Sequence, residues 1–193
     1  MRSSEITVAN TNFESPQRRC RTTIKATCRG ILDAIPAAAY TCDESGQITY
    51  FNPTAEAVWG RAPVLRDASE RYCGSYRLYA TDGVRIRHEE CWMALALLQG
   101  RAYHGCAIVL ERPDGTRSLG RAHAHPLRNN QGQIVGALNL IADITLPSGP
   151  EAGRSKPHHV SQAYSATAAI IDVAISVLTA VRWDNSIFND LNG

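Results

Sequence analysis

Short runs of hydrophobic residues, separated by turn sequences, dominate the chain from position 37 onwards. Residues 37–42 and 47–51 are two such runs, and the second is rich in the β-branched and aromatic residues that favour strands. Between them, residues 43–46 begin with acids and end with glycine, which is typical of a turn. The pattern predicts a β-hairpin. A helix is predicted next over residues 52–60, where asparagine can cap the start, proline suits the first turn and glycine ends it.

A second helix is predicted over residues 87–99, because the chain then reaches a glycine suited to a helix end. Two glutamates stand in its first turn, where the helix dipole favours negative charge. His88, Cys91, Leu95 and Leu98 are spaced by three and four positions and would share its apolar face.

Three longer strand-like runs follow, at residues 103–112, 116–127 and 133–144, and Pro-Asp-Gly and Asn-Asn-Gln-Gly turn sequences separate them. Tight turns require the three strands to run antiparallel to one another. The last run is apolar on both faces, which indicates a central place in the sheet. The order of elements predicts an α+β domain, with one antiparallel sheet and helices packed on one face.

Composition and charge narrow the picture further. The chain has 193 residues and a formal net charge of +2, and 44% of its residues are hydrophobic, as in ordinary globular domains. Residues 1–30 carry six basic and two acidic side chains, so the positive excess belongs to this arm. We interpret the arm as solvated and expect no nucleic-acid partner.

Localisation is predicted from the same N-terminal region. Residues 1–30 lack the apolar run of a signal peptide, so we expect a cytoplasmic protein. The six cysteines would then be reduced, and no Cys-x-x-Cys pair indicates a zinc ribbon or a thioredoxin-like motif.

The last part of the chain predicts a helix over residues 160–182. A three-four repeat supports it: Tyr164, Thr167, Ile171, Ala174, Leu178 and Val181. The apolar stretch 166–181 is shorter than a membrane span requires and contains Asp172, so we expect no span. The helix is expected to dock on the preceding domain or on a partner helix.

Five segments, taken in order, resemble a known family: ILDAIP at 31–36, YTCDESGQITYFN at 40–52, AEAVWG at 55–60, ERPDG at 111–115 and GALNLIADIT at 136–145. Together they resemble a PAS sensor domain of the bacterial two-component type. The resemblance implies a five-stranded antiparallel sheet with helices forming a pocket over it. It also implies dimers, and signalling through the flanking helices.

The resemblance and the patterns together divide the chain into four parts. Residues 1–21 are predicted to be a disordered basic arm, and residues 22–145 a PAS domain with its core at 30–145. Residues 146–159 have the proline and glycine content of a linker, and residues 160–193 form a helical tail.

His88 is the sharpest candidate for binding a cofactor. In haem-binding PAS domains that this chain resembles, the proximal histidine comes from the corresponding helix, so His88 could ligate haem. His88 and Cys91 also form a pair spaced by three positions, which could bind a soft metal or respond to oxidation. The alternatives are a hydrogen-bonded histidine and a small core cysteine. The sequence run of the light-sensing PAS domains is missing, so flavin is not expected.

Five further residues are candidates on the same resemblance. Trp59 and Tyr50 would line the pocket or pack in the core, and Asn139 could hydrogen-bond a ligand. Asp143 and Thr145 belong to the family's Asp-Ile-Thr exit and would couple the domain to the segment beyond it.

The sequence thus predicts a sensory module without a catalytic step, which binds a small ligand or a partner and relays a conformational signal through its exit segment. We expect it to dimerise and to act in trans on a histidine kinase or a response regulator. A haem-based gas or redox sensor, a shortened sensor kinase, and a plain dimerisation module with an empty pocket are the alternatives.

Overall fold

The computed structural model of the chain describes residues 27–143 and 157–184, together with Ile187 and Leu191. The strands are β1 (Ala38–Asp43), β2 (Ile48–Phe51), β3 (Arg77–Tyr79), β4 (Arg85–Ile86), β5 (Tyr103–Glu111), β6 (Arg117–Arg128) and β7 (Ile134–Asp143). The helices are α1 (described over 27–34), α2 (Pro53–Trp59), the 3-10 turn His88–Glu90, α3 (Trp92–Gln99) and α4 (Pro157–Ala180).

One antiparallel sheet contains all of these strands, in the order β2-β1-β7-β6-β5-β3-β4. The expected number of five strands is therefore wrong, because the sheet has seven. The two additional strands, β3 and β4, flank the turn at Asp82 and Gly83 and extend the sheet beyond β5. They have three and two residues, too few to show an alternating pattern. Pairing with β5 stabilises β3, and β4 pairs in turn with β3.

Helices cover both faces of the sheet, whereas the sequence predicted them on one. The inner face carries Tyr40 and Ile141 and packs against α2 and α3. The outer face carries Leu138 and Leu140 and packs against α1 and α4. Successive residues of β7 point to opposite faces, so its apolar side chains are buried in both layers. This double covering is the reason that β7 carries apolar residues on both faces.

Asn52 joins three of these elements where β2 passes into α2. Its side-chain oxygen accepts hydrogen bonds from the amides of Ala55 at 2.8 Å and Ala39 at 3.0 Å. Its amide nitrogen donates to the carbonyl oxygens of Leu32 and Ala37, both at 2.9 Å. All four polar contacts are buried, so the predicted cap also fixes α1 and β1 against α2.

The helix predicted over residues 87–99 is interrupted at Cys91, whose backbone is extended with φ −72° and ψ 166°. A 3-10 turn precedes the interruption and α3 follows it. The predicted apolar face is therefore wrong, because His88 is no longer in helical phase with the rest. Met93, Ala94 and Ala96 form the buried face of α3, and Leu98 is 73% exposed.

α4 begins at Pro157, within the stretch predicted as a linker, and proline suits a first helical turn. Ile171, Ala174 and Leu178 of its predicted repeat are buried, and the helix packs on β6 and β7. Trp183 follows α4 and is buried in the same core. Its backbone amide donates to the carbonyl of Arg128 at the end of β6, at 3.1 Å. No helix in the described part of the chain is long and apolar enough to cross a membrane.

Candidate functional site

A cluster of buried side chains lies at the centre of the inner face, where the resemblance places a ligand. We call it the inner cluster, and its members are Tyr40, Cys42, Trp59, Cys73, Cys91 and Asn139. A hydrogen-bonded chain crosses it: the Asn139 side-chain nitrogen donates to the Tyr40 hydroxyl at 3.0 Å, and that hydroxyl donates to the Tyr72 carbonyl at 3.1 Å. Residues of β7, β1 and the loop before β3 are joined in this way.

Trp59 fills the space beneath α2 and has no exposed surface. Its ring meets those of Tyr40 at 5.0 Å and Phe51 at 5.8 Å between centroids, both in edge-on geometry. A Cβ atom added to Gly74 would lie 2.5 Å from the same ring. The backbone therefore approaches Trp59 more closely than any residue other than glycine permits.

The three cysteines of the inner cluster are free thiols. Burial raises the pKa of all three, and it raises the pKa of Cys91 to about 12. The thiolate is the form that attacks substrates and binds metals, and burial keeps these three groups in the thiol form at neutral pH. In residues 27–143 and 157–184, no group of three potential ligands is arranged to hold a metal ion.

His88 lies in the 3-10 turn beside the inner cluster and is half-buried. Its Nε2 atom is buried and has no hydrogen-bond partner among the described residues. Burial lowers the pKa of the imidazole, which favours the neutral form that haem iron binds. The surrounding residues do not fit a porphyrin, however, because Trp59 and Met93 are fully buried and occupy the inner face.

Tyr50 does not join the other candidates. The register of β1 and β2 shifts by one residue, so Ile48 pairs with Cys42 while Tyr50 pairs with Thr41. The bulge at Thr49 turns Tyr50 to the outer face, where its hydroxyl donates to Asp33 of α1.

Asn139 and Cys91 lie with Trp59 on the inner face, and a ligand-binding role for these residues stays a prediction. Asp143 is the last residue of β7 and pairs with Gly120. Thr145 lies outside the described residues. The coupling role of both stays a prediction.

A groove on the outer face is a second candidate, and it lies along the C-terminal helix that the sequence predicted to dock on the preceding domain or on a partner helix. It runs between α1 and α4 and has a volume of about 480 Å³. Ile31, Ala34 and Ile35 form one side; Ile170, Val173 and Val177 are prominent on the other. The last three are 46%, 65% and 44% exposed, which is unusual for large aliphatic side chains so close together.

Comparison with known proteins supports the family suggested by these features. The sequence model of the family described as PAS fold matches residues 32–148, more than half of the chain. The chain therefore belongs to the PAS-fold family. No curated protein sequence matches it.

Solved structures are similar in fold. A LOV protein of Rhodobacter sphaeroides superposes with a TM-score of 0.53 at 15% identity, covering 89% of this chain and 88% of its own. The PAS domain of the fruit-fly ELK potassium channel gives 0.45 at 13% identity, over 69% of this chain and 100% of its own. A PAS domain of an HTR-like protein from Haloarcula marismortui gives 0.43 at 17%, over 67% and 99%. At these identities the likeness concerns the fold alone.

Proposed function

We propose that this protein is a cytoplasmic sensory and interaction module without a catalytic step, and that it works as a homodimer formed through the groove between α1 and α4. The observation that carries the proposal is the contrast between the two faces. Trp59 and its neighbours occupy the inner face, whereas the outer face presents an open apolar groove. The binding event is therefore assigned to a protein partner on the outer face. A small ligand on the inner face would first have to displace buried side chains.

A second copy of the chain is the occupant that the groove suits. The surface contains both a depression and, beside it, projecting aliphatic side chains such as Val173. A two-fold axis brings the same patch of each subunit against the other, so the projecting residues of one copy could enter the groove of its partner. Burial of this surface would remove exposed apolar area from water.

The signal is proposed to pass through β7. Asn139 of this strand binds Tyr40 on the inner face, and the neighbouring Leu140 packs in the outer core. Partner binding in the groove would shift α4, and β7, on which α4 packs, would carry this shift to the inner cluster and to the exit at Asp143. We further propose a histidine kinase or a response regulator as the downstream partner, acting in trans.

A pair of matched variants tests the dimer. Val173→Glu places a charge beside the groove, and we expect it to convert the protein to a monomer in sedimentation velocity experiments. Val84→Glu is the control, because Val84 is similarly exposed, at 62% against 65%, but lies in the turn between β3 and β4. A wild-type protein that sediments as a monomer at every concentration, or a dimer unaffected by V173E, contradicts the proposal.

A further inference from the structure

Three histidines come together on the outer face, away from the groove residues and the inner cluster. We call His104, His123 and His125 the histidine group. His123 and His125 alternate along β6 and so project to one face, and His104 reaches them from β5. The ring centroids of His104 and His125 are 4.5 Å apart, and those of His104 and His123 are 6.4 Å apart.

Two members of the group are buried without the hydrogen bonds that such groups ordinarily have. His123 and His125 are each 6% exposed. Both ring nitrogens of His123 and the Nε2 of His125 are buried and lack partners among the described residues. No three potential ligands in the described part of the chain stand in metal-binding geometry. Buried polar nitrogens without a partner are costly, and a charged imidazole there would be more so.

The groups facing these two rings come from three elements. Asp172 of α4 favours their protonation, while His104 of β5 opposes it. Arg121 of β6 also opposes protonation of His123. Burial is the largest influence, and the pKa of both rings is lowered, that of His125 to about 4.

α4 packs against β6 and β7 on this same face, and its Asp172 is close enough to His123 and His125 to favour their protonation. We propose that protonation of His123 and His125 loosens α4 from the sheet, so that the protein responds to acidification through its outer face. The carboxylate of Asp172 on α4 attracts the protonated rings and so favours docking. This attraction is smaller than the cost of burying the charge, so the protonated rings favour a state in which the helix has moved away and water reaches them. This inference concerns docking of α4 within one subunit and does not depend on the proposed dimer.

The direction of the effect is set by linkage. A released histidine would have its ordinary pKa of about 6.5, so between that value and about 4 the released state binds the extra proton. Docking of α4 is therefore fully favoured above pH 6.5 and weakens as the pH falls through this range. When the pH falls from 7.5 to 5.5, protonation of His125 alone would raise the equilibrium constant for undocking of α4 about tenfold.

Hydrogen exchange of the full chain, followed by mass spectrometry and corrected for the intrinsic effect of pH, measures this release. We expect amides of residues 167–180 to exchange about tenfold faster at pH 5.5 than at pH 7.5, while β1 and β7 keep their protection. Equal acceleration in β1 would indicate global acid unfolding and overturn the proposal. So would an α4 whose exchange does not change.

Variants identify the responsible side chains. H123F combined with H125F removes both titrating rings, and we expect it to abolish the acid response of α4. H88Q removes a half-buried histidine of the other side of the sheet and should leave that response intact. If the double variant does not fold, NMR titration of the wild-type imidazoles decides. Proton uptake by His125 at an ordinary pKa, with α4 unmoved, overturns the proposal.

Discussion

Tyr40 is the residue on which the inner cluster depends most. Its hydroxyl accepts from Asn139 and donates to the carbonyl of Tyr72, so one oxygen joins two strands and a loop. Burial raises the pKa of this hydroxyl well above its usual value, so it remains a neutral donor at every physiological pH. Tyr72 accepts the last hydrogen bond of this series, and its φ of 68° is unusual for a residue other than glycine.

Tyr40→Phe removes that oxygen and leaves the Asn139 amide buried without its acceptor. We expect the variant to unfold at lower urea concentration, with a loss of about 1–3 kcal/mol, the range for an unsatisfied buried polar group. Tyr76→Phe is the matched control, since Tyr76 is 45% exposed and its hydroxyl accepts a hydrogen bond from the Arg77 side chain at the surface. Equal stabilities of Y40F and the wild type would show that the hydrogen-bonded chain contributes nothing.

Part of this site could be predicted from residues and part could not. Trp59 and Asn139 were recognised because they fall in segments that resemble the family, and the structure places both on the inner face. The resemblance groups Tyr50 with them, but the bulge at Thr49 turns Tyr50 to the other face, and neither the resemblance nor strand alternation reveals a bulge. Tyr72 could not be found, since a positive φ in a non-glycine residue leaves no mark on the sequence.

At the scale of elements, the first hairpin shows how a turn can be constrained from outside. Asp43 begins the turn and Gly46 ends it with a φ of 84°. The ring of Tyr72 lies over this glycine, and a Cβ atom added there would approach the ring to 2.2 Å. Gly83, between β3 and β4, has a φ of 87° and open space around it. The two glycines share a backbone conformation but differ in their surroundings.

Alanine substitution at each glycine separates the cost of a positive φ from the cost of a clash with the Tyr72 ring. Gly83→Ala meets only the backbone cost, about 1 kcal/mol. Gly46→Ala meets the same cost and also pushes against the Tyr72 ring, which adds about 1–3 kcal/mol. Thermal or urea unfolding measures both. Equal losses for G46A and G83A would mean that Tyr72 moves aside freely and does not hold the hairpin.

The longer strands of this fold were predictable because each joins a clear hydrophobic run to a turn sequence. β5, β6 and β7 begin and end within about one residue of the predicted runs. The interruption at Cys91 was not predictable, since residues 87–99 have continuous helical spacing and no proline or glycine before the end. Tertiary packing overrides that local preference, because extended backbone at Cys91 lets its side chain enter the inner cluster.

At the scale of the whole molecule, the two faces of the sheet differ in what they can admit. The inner face has large side chains such as Trp59 and Met93 with no exposed surface. A planar macrocycle could enter only by displacing several of them. The outer face is open between α1 and α4, and the described residues that line this groove are isoleucines, valines and alanines, none of which can ligate haem iron.

We therefore expect the purified chain, incubated with haem and desalted, to show no Soret band of a bound haem. The reason is the filled inner face, although His88 has a buried and unpartnered Nε2 atom. Absorption spectra of the wild type and of His88→Ala check this. A band that is present in the wild type and lost in H88A would show that the inner face opens and that the haem-sensor alternative is correct.

The outer layer also has a consequence for synthesis. It unites Cys28 and Leu32 near one end of the chain with Ile171, Trp183 and Leu191 near the other. The Arg29 side chain even donates to the carbonyl of Leu191, 162 positions away, at 2.7 Å. Contacts this distant in sequence form late and slow the folding of a chain. Until the ribosome has added these residues, the outer surface of the sheet stays uncovered, so the nascent chain is most prone to aggregate before α4 has been made.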